Sequence, residues 1–178
     1  MSDLKLPKVN LVVLGRGLVG SAWLQGFAEQ KAKLQGVADV NLVAVANSTR
    51  FIIDTDGISN KQVEDFKQHS VVGNLNQLIV QVSECQLTNV VVLDLTASSI
   101  VADNYLEFAQ HGWNVISANK IPLTKSTERH KLLVQTFKQN ALFWGINATV
   151  GAALPVQTSL SELLQAGDKV NHISGVFS

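Results

Sequence analysis

Residues 9–14 form an unbroken run of mostly branched apolar side chains closed by Gly15, the pattern of a strand buried on both faces of a parallel sheet. Residues 18–34 follow with apolar positions at helical spacing, among them Val19, Ala22, Trp23 and Phe27, so the chain opens as strand, tight turn and helix. Residues 40–46 repeat the buried-strand pattern and end in the polar loop Asn47-Ser48-Thr49-Arg50. Between 51 and 73 the pattern is weak: a brief strand at 51–53, a turn at Asp56-Gly57 and a helix over 61–68 are the expectations. Asn74 is placed to cap a helix over 75–84, its side-chain oxygen accepting from a free amide of the first turn.

The alternation continues. Residues 90–95 are the third strong strand signal, and Thr96-Ala97-Ser98-Ser99 leads into a helix expected over 100–110, with Ser99 and Asp103 close to a capping arrangement. His111-Gly112 stops it, glycine being the residue that takes the left-handed stop without strain. A strand over 113–117, a loop over 118–122, an amphipathic helix over 126–139 and a short strand over 141–144 follow. Strands alternating with helices predict an α/β fold, a Rossmann-like doubly wound parallel sheet with helices on both faces. After the small-residue stretch at 149–153, Pro155 suits a first helical turn, residues 156–165 read as a helix, and 170–177 as a strand without a following partner. The expected division is a dinucleotide-binding domain over 1–150, then a linker helix and the first strand of a truncated second domain over 151–178.

Composition narrows the function classes. The chain has 178 residues, 46% hydrophobic, which suffices for one packed core. Fourteen basic and fourteen acidic side chains cancel, so no overall field attracts a polyanion or an anionic bilayer; nucleic acid and membranes are poor partners. Cys85 is the single cysteine, a small apolar filler by expectation, which excludes an internal disulfide framework and multi-thiolate metal sites. His69, His111, His130 and His172 lack ligand spacing, and Trp23, Trp113 and Trp144 sit in patterns that core packing explains. With no apolar segment at the N-terminus and no run long enough to span a bilayer, a cytoplasmic protein is expected.

The candidate chemistry lies at the first turn. Gly15-Arg16-Gly17-Leu18-Val19-Gly20 matches G-x-G-x-x-G between a strand and a helix, the context that distinguishes a dinucleotide site from a mere close turn. The first glycine permits the turn, the second lets backbone approach a diphosphate, and the third allows close packing, with the anion at the helix N-terminus. An NAD-selective site has Asp or Glu after the second strand; Asn47 to Arg50 offers no carboxylate to repel a 2′-phosphate. Arg50, with help from Arg16, can pair with that phosphate, so NADP is favoured over NAD, although both arginines also suit solvated surface positions. Thr96, Ala97 and Ser98 lie at the carboxyl end of a strand, where such sheets bind ligands, and also suit helix capping.

Residues 92–98 (Val-Leu-Asp-Leu-Thr-Ala-Ser), 102–105 (Ala-Asp-Asn-Tyr), 111–120 (ending Ala118-Asn119-Lys120), 147–155 (Asn-Ala-Thr-Val-Gly-Ala-Ala-Leu-Pro) and 174–178 resemble the homoserine dehydrogenase family. The likeness is greatest to the dehydrogenase half of the type II enzymes fused to an aspartokinase. The resemblance implies interconversion of aspartate 4-semialdehyde and homoserine with a nicotinamide cofactor, on the route to threonine and methionine, in a homo-oligomeric parent carrying a kinase domain. It places Gly17, Leu18 and Val19 against the diphosphate and Thr96 and Ser98 near the nicotinamide ribose, with Asn119 also among the cofactor-binding residues. Lys120 becomes one of two active-site lysines, able to stabilise or protonate a carbonyl oxygen as hydride arrives; by residue type alone an exposed loop lysine is the commoner role. It further implies a monovalent cation such as sodium on carbonyls of Asn147, Val150, Ala152 and Leu154, where several relatives have Glu or Asp in place of Asn147; a plain interdomain turn is the alternative. The remaining substrate residues are expected beyond Ser178, leaving this segment able to bind dinucleotide but not to turn over. Two rivals stand beside it: another dehydrogenase on the same fold, and a non-catalytic nucleotide-sensing module.

Overall fold

A computed structural model describes residues 6–34, 36–151 and 154–175. In chain order the elements are β1 (Lys8–Leu14), α1 (Leu18–Leu34), β2 (Asp39–Ala46), β3 (Arg50–Ile53), α2 (Asn60–Glu64), α3 (Phe66–His69), β4 (Val71–Val72) and α4 (Leu75–Glu84). They continue with β5 (Val90–Asp94), α5 (Ser99–Asp103), α6 (Tyr105–Gln110), β6 (Asn114–Ser117), α7 (Ile121–Thr124), α8 (Thr127–Gln139), β7 (Trp144–Gly145) and α9 (Val156–Gln165). The sheet runs β4-β3-β2-β1-β5-β6-β7.

The sheet is doubly wound, and β1 shows why its sequence is apolar throughout. Val12 and Leu14 face a core made with α4, α5, α6 and α8 (Leu78, Val101, Phe108, Leu133), whereas Leu11 and Val13 face a second core with Leu24 of α1 and Phe66 of α3. A strand covered on both faces has no polar side to present. The β1–β2 register slips between Leu11 and Val12, whose partners are Leu42 and Ala44, so Val43 is bulged out of the pairing.

Several expectations are corrected. The sheet is mixed: β3 pairs antiparallel with β2, and β4 antiparallel with β3. Only three residues separate β2 from β3, too few for the crossover a parallel pair needs, so the chain makes a hairpin. Asn47 holds that turn, its Oδ1 accepting from the amides of Thr49 at 2.9 Å and Arg50 at 2.8 Å. The helix expected over 61–68 is two short ones broken at Asp65, and that over 100–110 breaks at Asn104, whose side-chain amide donates to the Ile100 carbonyl at 2.8 Å. Ser98 rather than Ser99 caps α5, accepting from the Val101 amide. On α1 the buried positions are Gly20 and Leu24; Val19 and Ala22, which share the apolar helical spacing, are exposed, and Trp23 stacks on Phe27 at the margin. Cys85 is a half-buried helix-end residue whose thiol meets the Gln81 carbonyl, not a core filler. The strand expected over 141–144 shrinks to Trp144–Gly145. Residues 170–175 form no strand, and 176–178 lie outside the described residues.

Other expectations hold. The helices over 18–34, 75–84 and 156–165 are present, Asn74 forms a reciprocal capping box with Gln77, and Gly112 takes φ +73° at the end of α6. No helix of the described residues is long and apolar enough to cross a membrane.

Candidate functional site

The β1–α1 turn is held by two glycines that tolerate no side chain. Gly15 sits at φ +105°, and a Cβ there would meet the Leu95 carbonyl oxygen at 2.8 Å; a Cβ on Gly20 would stand 1.9 Å from the Gly15 carbonyl oxygen. Gly17 differs, since its Cβ would meet nothing within 4 Å. The three glycines thus make the turn, leave open space and permit close approach, in the order the motif requires. The backbone amides from Arg16 to Gly20 donate to no acceptor among the described residues, while the Ser21 amide begins the helical ladder on the Gly17 carbonyl. A cluster of free N–H groups at the head of a 17-residue helix is an anion cradle.

In front of this turn opens a cavity of about 510 Å³ between the ends of β2 and β5. Gly15, Arg16 and Gly17 form its floor, Asn47 and Ser48 one wall, and Thr96, Ala97 and Ser98 the other. Its lining contains no acidic residue and one base, Arg16. The Arg16 guanidinium donates to the Val63 carbonyl at 2.8 Å and lies 4.4 Å from the Phe66 ring centroid; partial burial lowers its pKa without discharging it. The residues fit a dinucleotide: amides for a diphosphate, open space at the second glycine, and walls without a carboxylate to repel further phosphate.

The sequence-predicted residues do not all converge here. Arg50 is outside the lining; its guanidinium donates to the Ser70 hydroxyl at 2.8 Å and the Lys67 carbonyl at 3.3 Å, tying β3 to the start of β4. Leu18 and Val19 stand exposed at the helix head. Asn119 and Lys120 lie beside the cavity rather than in its lining. Asn119 is 1% exposed and donates to Asp94 and to the Ser98 carbonyl, each at 2.9 Å, while Lys120 is exposed at the head of α7. Of the candidate cation ligands, Ala152 is outside the described residues. The Asn147 side-chain amide donates to Thr158, and the Val150 carbonyl accepts from Gln157 at 3.4 Å. Leu154 is exposed. No group of three or more His, Cys, Asp or Glu side chains suited to a metal occurs among the described residues.

Sequence reasoning passed over the cluster behind the Thr96 wall. Tyr105, fully buried, donates its hydroxyl to Asp94 at 2.8 Å and meets the Ser117 hydroxyl at 2.7 Å, and Ser117 donates to the Asn119 carbonyl at 2.9 Å. The available signal was an acid inside an apolar run, Val92-Leu93-Asp94-Leu95. Burial first, then the charge of Asp94, pushes the Tyr105 phenol above its ordinary value of about 10. The folded state keeps this proton where an unfolded chain releases it. Its stabilisation is therefore complete below about pH 10 and is lost as pH rises beyond that. Melting temperatures followed from about pH 8 to about pH 11 are expected to fall in the upper part of the range, and less steeply in Tyr105→Phe. An unchanged slope in that variant would assign the alkaline loss to other groups.

The family model for the NAD-binding domain of homoserine dehydrogenase matches residues 15–143. The chain is 34% identical over 174 residues to bifunctional aspartokinase/homoserine dehydrogenase 2 of Escherichia coli K12, covering 96% of this chain and 22% of that protein. It is 30% identical to the homoserine dehydrogenase of Saccharomyces cerevisiae, covering 96% of this chain and 47% of the relative. It therefore spans about a fifth to a half of these relatives. Among solved structures, a hyperthermophilic archaeal homoserine dehydrogenase in complex with NADPH superimposes with a TM-score of 0.66 at 23% identity, over 86% of this chain and 48% of that one. At that identity the likeness speaks for the fold.

Proposed function

The chain belongs to the homoserine dehydrogenase family, matching its NAD-binding domain, and from that premise we propose that it binds NADP(H) at the β1–α1 turn for the interconversion of aspartate 4-semialdehyde and homoserine. The observation that carries the cofactor reading is the row of amides from Arg16 to Gly20, without acceptors among the described residues, at a turn whose Gly15, Arg16 and Gly17 line a cavity with no carboxylate in its lining. Supporting it, a structural neighbour of the same fold is described in complex with NADPH. When bound, the dinucleotide supplies hydride transfer. The chain's own part is to hold the diphosphate on the helix head, to meet a 2′-phosphate with Arg16, and to offer Thr96, Ala97 and Ser98 as a wall. Lys120, exposed at the mouth of the loop after β6, is the proposed donor to a substrate carbonyl oxygen.

On this reading residues 1–150 form the cofactor domain and α9 leads toward a substrate domain. The rest of the active site, and an aspartokinase such as accompanies the Escherichia coli relative, belong to the longer parent chain, which would assemble as a homo-oligomer. A monovalent cation on the carbonyls of Asn147, Val150 and Leu154 is part of the same proposal, since hard cations favour oxygen donors. A cytoplasmic setting suits a biosynthetic role, and the isolated segment is not expected to oxidise homoserine.

The test is titration calorimetry with NADPH and NADH. NADPH is expected to bind more tightly, and Arg16→Ala to reduce the preference about tenfold, the scale of a charged hydrogen bond to phosphate. Because Arg50 is engaged by Ser70 and Lys67, Arg50→Ala is expected to alter the preference less than about twofold while costing about 1 kcal/mol of stability. Equal affinities for the two cofactors would overturn the NADP assignment, and binding of neither the cofactor reading.

A further inference from the structure

Asp94, at the end of β5, is 0% exposed and is the only charged side chain so enclosed among the described residues. Its Oδ1 accepts from the Thr96 amide at 2.9 Å and the Thr96 hydroxyl at 2.6 Å; its Oδ2 accepts from the Tyr105 hydroxyl at 2.8 Å and the Asn119 side-chain amide at 2.9 Å. Four donors meet the four lone-pair directions of a carboxylate. They come from three separate pieces of chain: the loop after β5, helix α6 and the loop after β6. A buried ionic group is weak evidence for stability, because a well-packed apolar replacement is often as stable. What such a group does supply is fixed geometry.

That geometry is delivered to one side of the cavity. In this kind of sheet the diphosphate sits at the first crossover and the adenosine ribose at the end of the second strand, which here is β2. The other half of a dinucleotide then runs over the ends of β5 and β6, on the opposite side of β1. Those are the ends that Asp94 joins. Asn119 extends the join, its side-chain amide donating to the Ser98 carbonyl at 2.9 Å while its side-chain Oδ1 accepts from the Ile121 amide at 3.1 Å, so that Lys120 lies between two anchored residues. At the far end of α7 the Lys125 ammonium pairs with Asp103 of α5, fixing the same loop a second time. Among the described residues no hydrogen bond ties the Asn47–Ser48 wall to Asp94.

We infer that Asp94 is a positioning residue for the nicotinamide half of the cofactor: it locks the Thr96–Ser98 and Asn119–Lys120 loops into a single wall and leaves the adenosine half of the site untouched. The inference rests on the dinucleotide reading above and adds to it a division of labour. Asp94→Asn replaces an acceptor with an amide that faces the Asn119 amide and the Tyr105 hydroxyl, so two donors meet a donor and the wall loosens.

The experiment titrates wild type and Asp94→Asn with NADPH and with 2′,5′-ADP, which carries the adenosine half alone, and records the emission of bound NADPH, which senses the surroundings of the nicotinamide. The variant is expected to bind NADPH about tenfold more weakly, with emission nearer that of the free cofactor, and to bind 2′,5′-ADP within about twofold of wild type. Tyr105→Phe, which keeps the carboxylate and removes one donor that does not line the cavity, is expected to show the same selectivity in smaller degree. It decides the matter if Asp94→Asn does not fold. Equal losses for both ligands across the folded variants, or no loss for NADPH, would overturn the inference while leaving the cofactor assignment intact. A wild type that takes neither ligand would overturn the cofactor assignment itself, and this inference with it.

Discussion

Gly20→Ala is expected to eliminate measurable NADPH binding, a loss of at least about a hundredfold, and to lower stability by about 3 kcal/mol, at the upper end of overpacking penalties. The new methyl would stand 1.9 Å from the Gly15 carbonyl oxygen. That oxygen is backbone, and it cannot retreat cheaply. Gly15 is itself at φ +105° with Leu95 pressed against it, so relief requires opening the β1–α1 turn. Opening it turns the amides of residues 16–20 away from their common focus, and the anion site goes with them. Gly17→Ala separates the two effects. Its Cβ meets nothing within 4 Å, so the fold should be untouched, while the methyl enters the space left for the diphosphate. The expected pattern by calorimetry and thermal melting is therefore loss of both properties at position 20 and loss of binding alone at position 17. A Gly20→Ala chain that melts with wild type and still takes up NADPH would refute the account of the turn.

Phe108→Ala is expected to cost about 3–5 kcal/mol, a large share of what a domain of this size has. The ring is 1% exposed and packs with centroids 5.9 Å from both Tyr105 and Trp113, in the core between the sheet and α6 and α8. Its removal leaves a void that this aromatic cluster cannot close without moving Tyr105 off Asp94. Denaturant midpoints should fall accordingly, with a drop of about 6–20 °C in melting temperature. Phe143→Ala is the control: that ring is 61% exposed, and its loss should change stability by no more than about 0.5 kcal/mol. Similar losses at the two positions would mean that the core has been misplaced.

Much of the fold was legible because the signals that specify it are local. A strand covered on both faces is a continuous apolar run, so β1, β2 and β5 could be read directly. The helix stops at Gly112 and Gly167 and the cap at Asn74 depend on residues within one turn of where they act. The glycine turn was legible for the same reason, since strand, motif and helix are contiguous.

The misreadings share the opposite character. The direction of β3 depends on the span of a three-residue connection, which periodicity does not register. The break at Asn104 is invisible in a helical pattern, yet it sets Tyr105 beneath Asp94. Val19 has helical spacing but is exposed, because in the first turn of α1 only Gly20 packs inward. Residues 170–175, expected as a strand, have no neighbouring strand to bond to among the described residues, and an edge without a partner carries no ladder.

From the order of residues alone came the strand–turn–helix at the N-terminus, the glycines that make it an anion cradle, the absence of a carboxylate after β2, and the family resemblance. Each depends on residues close in the chain or on composition at a known offset. Only the folded molecule decided that Arg16 rather than Arg50 lines the cavity, and that Asp94, Tyr105, Ser117 and Asn119 form one buried network. Those outcomes turn on where side chains 11 to 25 positions apart meet, as at Asp94–Tyr105, Tyr105–Ser117 and Asp94–Asn119. Such meetings are fixed by sheet order and by crossovers folding back over it, and no local pattern in the chain encodes them.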